Sequence, residues 1–266
     1  MNPLGFFRAI GSYDPIAVVY MAFRVSTRLF LGRQRRDNVL QKLHWETLSE
    51  FLDWIHLPEY LADSYMVKEV KRRVKRKYFR HEPEVSSLLT ALHGRVFIDI
   101  GANVGYYSFL LHDNFNKIIA VEPHPRNVQL IQKAKKKYTY HKVSVLPWAV
   151  SNKRGKTKLY LGSHRGRHSL FQGEGFMQKP NLNYITVKAI TLDFLLRTYS
   201  NVDLVKVDVE GAEWNVLNGA KDVMNKINAW LIELHDLSRK REVENLLKSF
   251  NYKVKWISTK HVHAWR

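Results

Sequence analysis

The segment RVFIDIGANVGYYSFLL, residues 95–111, passes from one apolar run through a turn into a second. Its first six residues are typical of a buried strand, and the stretch from about Val104 to His112 is typical of a short helix. Two glycines, Gly101 and Gly105, lie where the strand would give way to the helix. This order of strand, glycine-containing turn and helix predicts the first unit of a parallel α/β sheet.

Strand-like and helix-like segments alternate from residue 95 to the C-terminus. Further strands are predicted at 117–123, 141–151, 202–211 and 229–235, and helices at 124–138, 212–226 and 238–250. The last two apolar segments, YKVKWIS and HVHAWR, are expected to pair antiparallel. The sequence therefore predicts a Rossmann-like α/β fold with a mostly parallel, doubly wound sheet and an antiparallel C-terminal strand. Such sheets bind ligands outside the carboxyl ends of their strands.

Residues 1–90 are predicted to form a basic, helical N-terminal region, and residues 91–266 the α/β domain. The most apolar N-terminal stretch, residues 15–31, is interrupted by Arg24 and Arg28 and is shorter than the roughly 20 residues that a bilayer requires. No transmembrane span and no cleavable signal peptide are expected. A basic helix in this region would nevertheless suit peripheral contact with an anionic membrane.

Composition narrows the classes of protein that the chain can belong to. It has 266 residues, of which 45% are hydrophobic, so it can bury a full core. The absence of cysteine excludes disulfides, thiolate zinc sites and cysteine nucleophiles, and it favours the cytoplasm. The net charge of +19 favours an anionic partner, such as nucleic acid, an acidic membrane or a phosphorylated substrate, or else a surface that serves solubility.

The turn DIGANVG, residues 99–105, has the residue types of a cofactor-binding loop. No Lys-Ser or Lys-Thr follows its second glycine, which excludes a phosphate-binding P-loop, and the spacing is not that of the dinucleotide motif GxGxxG. Gly101 permits a tight turn, and Gly105 permits close approach of a ligand. Asp99 can accept hydrogen bonds from a cationic or hydroxylated ligand. Asp99, Gly101, Asn103 and Gly105 are therefore predicted to bind a cofactor.

Glu122 lies 21 residues after Gly101, at the end of the second predicted strand. An acidic side chain at this position can bind both hydroxyls of a ribose. A ribose site without a pyrophosphate loop favours S-adenosylmethionine over NAD. Trp148 and Ala149, after the third predicted strand, are expected either to cradle the adenine or to pack in the core.

The segment KVDVEGAE places Lys206, Asp208 and Glu210 at alternating positions near the end of the fourth predicted strand. Alternation in a strand puts these side chains on one face, where an acceptor would lie. Asp208 or Glu210 is predicted to be the general base or to accept the hydrogen bond of a substrate hydroxyl. His235, with an ordinary pKa near 6.5, is a further candidate proton acceptor.

Several alternatives remain open for this group of residues. Lys206 is a catalytic candidate that holds an anionic substrate or tunes its neighbours, or else it forms a salt bridge with Asp99 or Asp208. Glu213, in the first turn of the next helix, is expected to interact favourably with the helix dipole. The site needs no metal, but its four acidic and histidine side chains are also suited to a magnesium-like ion. These are Asp208, Glu210, Glu233 and His235.

The segment 151–171 is basic and interrupted by glycines, which is typical of a mobile loop that binds substrate. His164 and His168 are four residues apart within it, but two histidines without a third ligand are weak evidence for a metal site.

From about residue 95 to residue 266 the sequence resembles the FkbM-type S-adenosylmethionine-dependent methyltransferases. The resemblance rests on seven blocks in order: FIDIGANVGYYS, AVEPHP, WAVS, HSLF, TVKAITLDFLL, VDLVKVDVEGAEWNVLNGA and LIELH. It implies a Rossmann-like methyltransferase domain that usually methylates an oxygen, often of a sugar or natural product. It also implies that Ser169, within HSLF, lines the cofactor or acceptor pocket.

The leading functional hypothesis is O-methylation of a hydroxyl on a neutral or anionic sugar, glycolipid or related small molecule. The high positive charge motivates an alternative, methylation of nucleic acid such as RNA. A third hypothesis is a binding module that kept the fold and lost the chemistry.

Overall fold

The computed structural model describes residues 83–161, 169–170 and 183–266. The helices of this part are α1 (Pro83–Ala91), α2 (Tyr106–Leu110), α3 (Pro125–Tyr138), α4 (Leu192–Leu196), α5 (Glu213–Asn218) and α6 (Lys240–Ser249), with 3-10 turns at Lys221–Lys226 and Leu237–Arg239. Its strands are β1 (Gly94–Ile100), β2 (Phe115–Val121), β3 (Val143–Leu146), β4 (Ala149–Val150), β5 (Gly155–Tyr160), β6 (Tyr184–Ile190), β7 (Leu204–Val207), β8 (Ala229–Glu233), β9 (Lys253–Trp256) and β10 (His261–Trp265).

The main sheet has seven strands in the order β3-β2-β1-β7-β8-β10-β9. The first five are mutually parallel, and β10 runs antiparallel to both β8 and β9. The predicted fold class is therefore confirmed, including the antiparallel C-terminal strand. Strand order reverses between β1 and β7, so the crevice at their carboxyl ends is where this topology places a ligand.

The central strands form the core of the domain. Every residue of β7 and β8 is buried, as expected for parallel strands that are covered on both faces. Trp230 on β8 is fully buried among aliphatic side chains that include Val205 and Leu247. Rigid central strands of this kind hold the residues that follow them in place.

The predicted strand 141–151 is wrong in one respect, because it is two strands in two sheets. Pro147 lies between β3 of the main sheet and β4 of a second sheet with the order β4-β6-β5. Residues 155–160 were expected to belong to a mobile loop, but they form β5. Their lysines alternate with Thr157 and the buried Leu159. The two-residue period of a strand is therefore present, although the lysines make the segment resemble a polar loop.

The predicted helix 212–226 is also interrupted. It ends at Asn218 and continues after Gly219 as a 3-10 turn. A Cβ atom on Gly219 would lie 2.3 Å from the carbonyl oxygen of Ser151, so the close approach of the second sheet requires glycine here.

Helix α1 crosses the boundary predicted at residue 90. The side-chain amide of Asn114 donates hydrogen bonds to the carbonyls of Thr90 and Leu92, which ties the end of this helix to the start of β2. The other expectations for the N-terminal region, and those for His164 and His168, lie outside the described residues. No helix within the described ranges is long and apolar enough to cross a membrane.

Candidate active site

The turn after β1 adopts the backbone conformation that its glycines permit. Gly101, Asn103 and Gly105 have φ of 76°, 50° and 83°, all in the left-handed region. A Cβ on Gly101 would lie 1.8 Å from the carbonyl oxygen of Asp208, so this glycine joins the β1 turn to the β7 turn. A Cβ on Gly105 would lie 2.8 Å from the ring of Phe109, so helix packing requires the second glycine.

Asp99 lies at the end of β1 and is 1% exposed. Ser108 on α2 donates a hydrogen bond of 2.6 Å to its Oδ2. Its Oδ1 accepts no hydrogen bond from the described part of the chain and lies 3.9 Å from the Lys206 Nζ. Burial raises the pKa of Asp99, and the charge of Lys206 opposes that shift. The free oxygen is a hydrogen-bond acceptor at the crevice.

Glu122 follows β2 and is 5% exposed. Its carboxylate accepts hydrogen bonds from the backbone N–H of Asn103 at 2.8 Å, the backbone N–H of His124 at 2.9 Å and the side chain of Asn127 at 3.3 Å. Burial raises the pKa of Glu122 to about 7 in spite of these bonds. A carboxylate has about four lone-pair sites, so it can still accept from a ligand.

Trp148 and Ala149 differ in their surroundings. Ala149 is buried, pairs with Ala189 and packs with Leu159 in the second sheet, which fits the packing alternative. Trp148 is half-buried, and the Lys188 Nζ lies 4.6 Å from the centre of its ring. A role for either residue in binding adenine stays a prediction.

Lys206 is a buried cation between two carboxylates. Its Nζ lies 3.0 Å from Asp208 Oδ2 and 3.9 Å from Asp99 Oδ1, and 5.0 Å from the centre of the Tyr107 ring. Burial lowers the pKa of Lys206, but the charges of Asp208 and Asp99 outweigh burial and raise it overall. The geometry is that of the salt-bridge alternative, and it keeps Lys206 charged.

Glu210 is placed by a turn, because β7 ends at Val207. The expectation of strand alternation as far as residue 210 is therefore wrong. Glu210 has a left-handed φ of 52°, which is uncommon for a residue with a side chain. Ser169 donates a hydrogen bond of 2.6 Å to the Glu210 carbonyl, and the N–H of Gly211 donates to Glu213 Oε1 at 2.9 Å.

His235, two residues after β8 ends, faces three carboxylates. Its Nδ1 lies 2.9 Å from Glu213 Oε1, and its Nε2 lies 3.4 Å from Glu210 and 3.5 Å from Glu233. Burial lowers the pKa of His235, but the hydrogen bond and charge of Glu213 outweigh burial and raise it to about 9. The expectation of an ordinary pKa is therefore wrong, since the imidazole carries a proton at neutral pH.

Glu233 ends β8 and contacts Lys260 and His261 of the β9–β10 region as well as His235. Asp208, Glu233 and His235 each offer a ligand atom within 4.8 Å of the others, which is close enough for a metal ion. However, the ammonium group of Lys206 contacts Asp208, and that of Lys260 contacts Glu233. The carboxylates already have cations as partners, which favours a metal-free site.

Two contacts in this region were not predicted from the sequence. Glu213 is 1% exposed and accepts hydrogen bonds from both the 210–211 turn and His235. Its contacts therefore go beyond the predicted interaction with the helix dipole. Ser108 orients Asp99. The contact of Glu213 with His235 spans 22 residues and that of Ser108 with Asp99 spans 9, so neither follows from a pattern of adjacent residues.

The sequence is similar to those of known methyltransferases. The model of the methyltransferase FkbM domain family matches residues 99–254. The hexuronic acid methyltransferase AglP of Haloferax volcanii is 26% identical over 213 residues, which cover 73% of this chain and 84% of that protein.

The chain is also similar to two solved methyltransferase structures. The methyltransferase FkbM of Methylobacillus flagellatus is 14% identical with a TM-score of 0.47, and the match covers 77% of this chain and 59% of that one. A methyltransferase of Geobacter sulfurreducens is 11% identical with a TM-score of 0.44, and the match covers 83% of this chain and 97% of that one. The family match spans more than half of the sequence and includes the strand ends described above. The chain therefore belongs to the FkbM methyltransferase family, and it is a methyltransferase.

Proposed function

We propose that the protein transfers the methyl group of S-adenosylmethionine to a hydroxyl group of a sugar, with an acidic sugar as the leading acceptor class. The main support is Glu122, whose buried carboxylate lies at the end of β2, next to the topological reversal of the sheet. This is the position from which an acidic side chain reaches ribose hydroxyls.

The residues at the ends of β1 and β2 fit this cofactor. The Asp99 Oδ1 is a buried acceptor without a hydrogen bond in the described part, which suits an ammonium group. Glu122 has lone pairs available for hydroxyl donors. When bound, S-adenosylmethionine supplies an electrophilic methyl group on a sulfonium. Gly101, Asn103 and Gly105 shape the turn beside it, and Trp148 and Ala149 remain proposed adenine neighbours.

The acceptor hydroxyl must lose a proton as it gains a methyl group. Asp208 and Glu210, both half-buried beyond β7, are the proposed acceptors of its hydrogen bond and of that proton. Glu210 is the stronger candidate, because two hydrogen bonds hold its turn and the imidazolium beside its carboxylate favours the ionised form that can accept a proton. His235 and Lys206 then act as fixed positive charges that orient the carboxylates.

The relative AglP is named for methylation of hexuronic acid, and that name supports an acidic sugar as the acceptor. A carboxylate-bearing acceptor also suits a chain with a net charge of +19. Because lysines already partner Asp208 and Glu233, we propose that no metal takes part. Activity should therefore survive treatment with EDTA.

The test is incubation of the purified protein with methyl-labelled S-adenosylmethionine and acidic or neutral sugar acceptors, followed by NMR of the product. We expect a new O-methyl ether on a uronic acid. Cell extract, divided with and without nuclease, serves as a second substrate. Label that follows the glycan fraction and resists nuclease supports the proposal. Label that nuclease releases, or label on nitrogen or carbon, would refute it.

A further inference from the structure

The second sheet carries a concentration of positive charge that the proposed chemistry does not use. Its described segments, 149–161 and 183–190, contain no aspartate or glutamate. They contain five basic residues, namely Lys153, Arg154, Lys156, Lys158 and Lys188. A surface of one sign attracts a partner of the opposite sign.

Lys156, Lys158 and Lys188 share one exposed face of the second sheet. Lys156 lies directly opposite Lys188, and Lys158 lies opposite Thr186 on the neighbouring strand. All four side chains are exposed, whereas Val187, between Thr186 and Lys188, is buried on the other face. Like charges directly opposite each other in a sheet are destabilising, so the Lys156–Lys188 pair has a cost that a bound anion would relieve.

Aromatic rings, and not carboxylates, contact three of the cations. The Lys158 Nζ lies 4.3 Å from the Tyr184 ring centre, and the Arg154 guanidinium lies 4.1 Å from the Phe194 ring centre. Lys188 contacts Trp148 in the same way. A ring contact orders a cation without cancelling its charge. Within the described ranges, none of these cations forms an ion pair with a carboxylate.

A groove of about 650 Å³ opens at one end of this face. It is lined by Arg154, Lys156 and Lys188, with Val187 and Phe194 as apolar walls. A groove of this size accommodates one sugar-sized group. Its cationic lining selects a carboxylate or a similar anion.

The opposite end of the face adjoins the candidate active site. There Tyr160 bridges to Ser169, and Ser169 donates its hydrogen bond to the carbonyl of Glu210. Tyr160 is five residues from Gly155 along β5, a span of roughly 17 Å. The face therefore extends from the catalytic turn to the groove, a length that exceeds a single sugar.

We propose that this face, formed by Lys156, Lys158, Tyr184 and Lys188 together with the groove, binds the acidic saccharide chain of the acceptor while one of its sugars is methylated. The inference rests on the proposed function, because it names the form in which the sugar is recognised. It predicts that the enzyme prefers an acidic oligosaccharide to the free monosaccharide.

The test uses the double variant Lys156→Gln/Lys188→Gln and a control of equal charge, Lys253→Gln/Lys255→Gln, on the exposed face of β9. The probe is a hexamer of galacturonic acid, and its binding is measured by calorimetry without cofactor. We expect the Kd of the hexamer to rise roughly tenfold in the first variant, since two charged contacts with its carboxylates are lost. The control should bind within about twofold of the wild type.

Turnover separates this inference from the proposed function. The KM for the hexamer should rise in the Lys156/Lys188 variant, whereas the KM for monomeric galacturonic acid should not change. Equal binding by the two double variants would overturn the inference even if methyl transfer occurs. So would tighter binding of a single-stranded RNA of equal charge. Hexamer binding that depends on the two lysines, without methyl transfer to any sugar, would support the saccharide-binding face and refute the proposed function.

Discussion

The carboxyl edge of the main sheet has two halves that balance their carboxylates differently. In the half that is proposed to bind the cofactor (the cofactor half), at the ends of β1 and β2, Asp99 and Glu122 accept hydrogen bonds from hydroxyl and amide groups, and burial raises the pKa of both. In the acceptor half, after β7 and β8, the carboxylates face Lys206, His235 and Lys260. The first half is suited to receive donors from a ligand, whereas the second carries its own counter-charges.

The largest effect is expected from Glu210→Gln in the acceptor half. The amide can still orient a hydroxyl but cannot take its proton, so kcat should fall by roughly 10²–10⁴. The affinity for S-adenosylmethionine should stay within about twofold, because the cofactor half is unchanged. Steady-state kinetics and calorimetry measure the two quantities. Glu242→Gln, on the exposed surface of α6, is the control. Full activity of the Glu210 variant would remove this residue from the mechanism.

Gly101→Ala tests the contact that joins the two halves. The new Cβ would lie 1.8 Å from the Asp208 carbonyl oxygen at a φ of 76°, so we expect the free energy of unfolding to fall by roughly 3 kcal/mol or more. Gly155→Ala is the matched control, because that glycine also has a positive φ but no atom lies within 4 Å of its Cβ position. Urea denaturation should show a loss of about 1 kcal/mol for the control. Equal losses would mean that the backbone contact is unimportant.

Glu122→Gln should weaken the binding of S-adenosylmethionine by roughly 10- to 100-fold, the cost of losing hydrogen bonds to a charged group. The pH dependence sharpens this expectation. Ribose hydroxyls donate to the ionised carboxylate, so wild-type affinity should rise as pH increases through about 7, the pKa of Glu122. The variant should lack that rise. Calorimetry between pH 5.5 and 8.5, a range of roughly 1.5 units around that pKa, provides the measurement. A wild-type affinity that is flat over this range would contradict the assignment.

Glu213→Gln should have the smallest effect and should act through His235. The pKa of His235, about 9 in the wild type, should fall towards 6.5, and NMR titration of the imidazole measures it. A raised histidine pKa stabilises the fold below pH 6.5, and this contribution is lost as pH rises through 9. The stability difference between wild type and variant should therefore be roughly 1–2 kcal/mol at pH 6 and should shrink by pH 9.5. An unchanged titration would refute the role of Glu213.

Local patterns in the sequence were enough to predict the main sheet and the turn after β1. Short, mostly continuous apolar runs predicted β1, β2, β7 and β8, and the turn 99–105 lies where its glycines indicated. The second sheet was missed because lysines obscure the period of β5, and because β4 is only two residues long. In the acceptor half, the salt bridge of Lys206 was one of the predicted alternatives, whereas the contacts of His235 with Glu213 and of Glu233 with Lys260 were not predicted.

The sequence by itself determined the order of strands and helices, the left-handed turns at Gly101 and Gly105, and the acidic residues at the strand ends, because each depends on neighbours within a few positions. Tertiary structure alone decided the charge states of Lys206 and His235. Lys206 is charged because β1 and β7 are adjacent, and His235 is protonated because α5 brings Glu213 to within 2.9 Å. Burial and Coulomb interactions act through space, between residues that are distant in the chain, so no local pattern reports them.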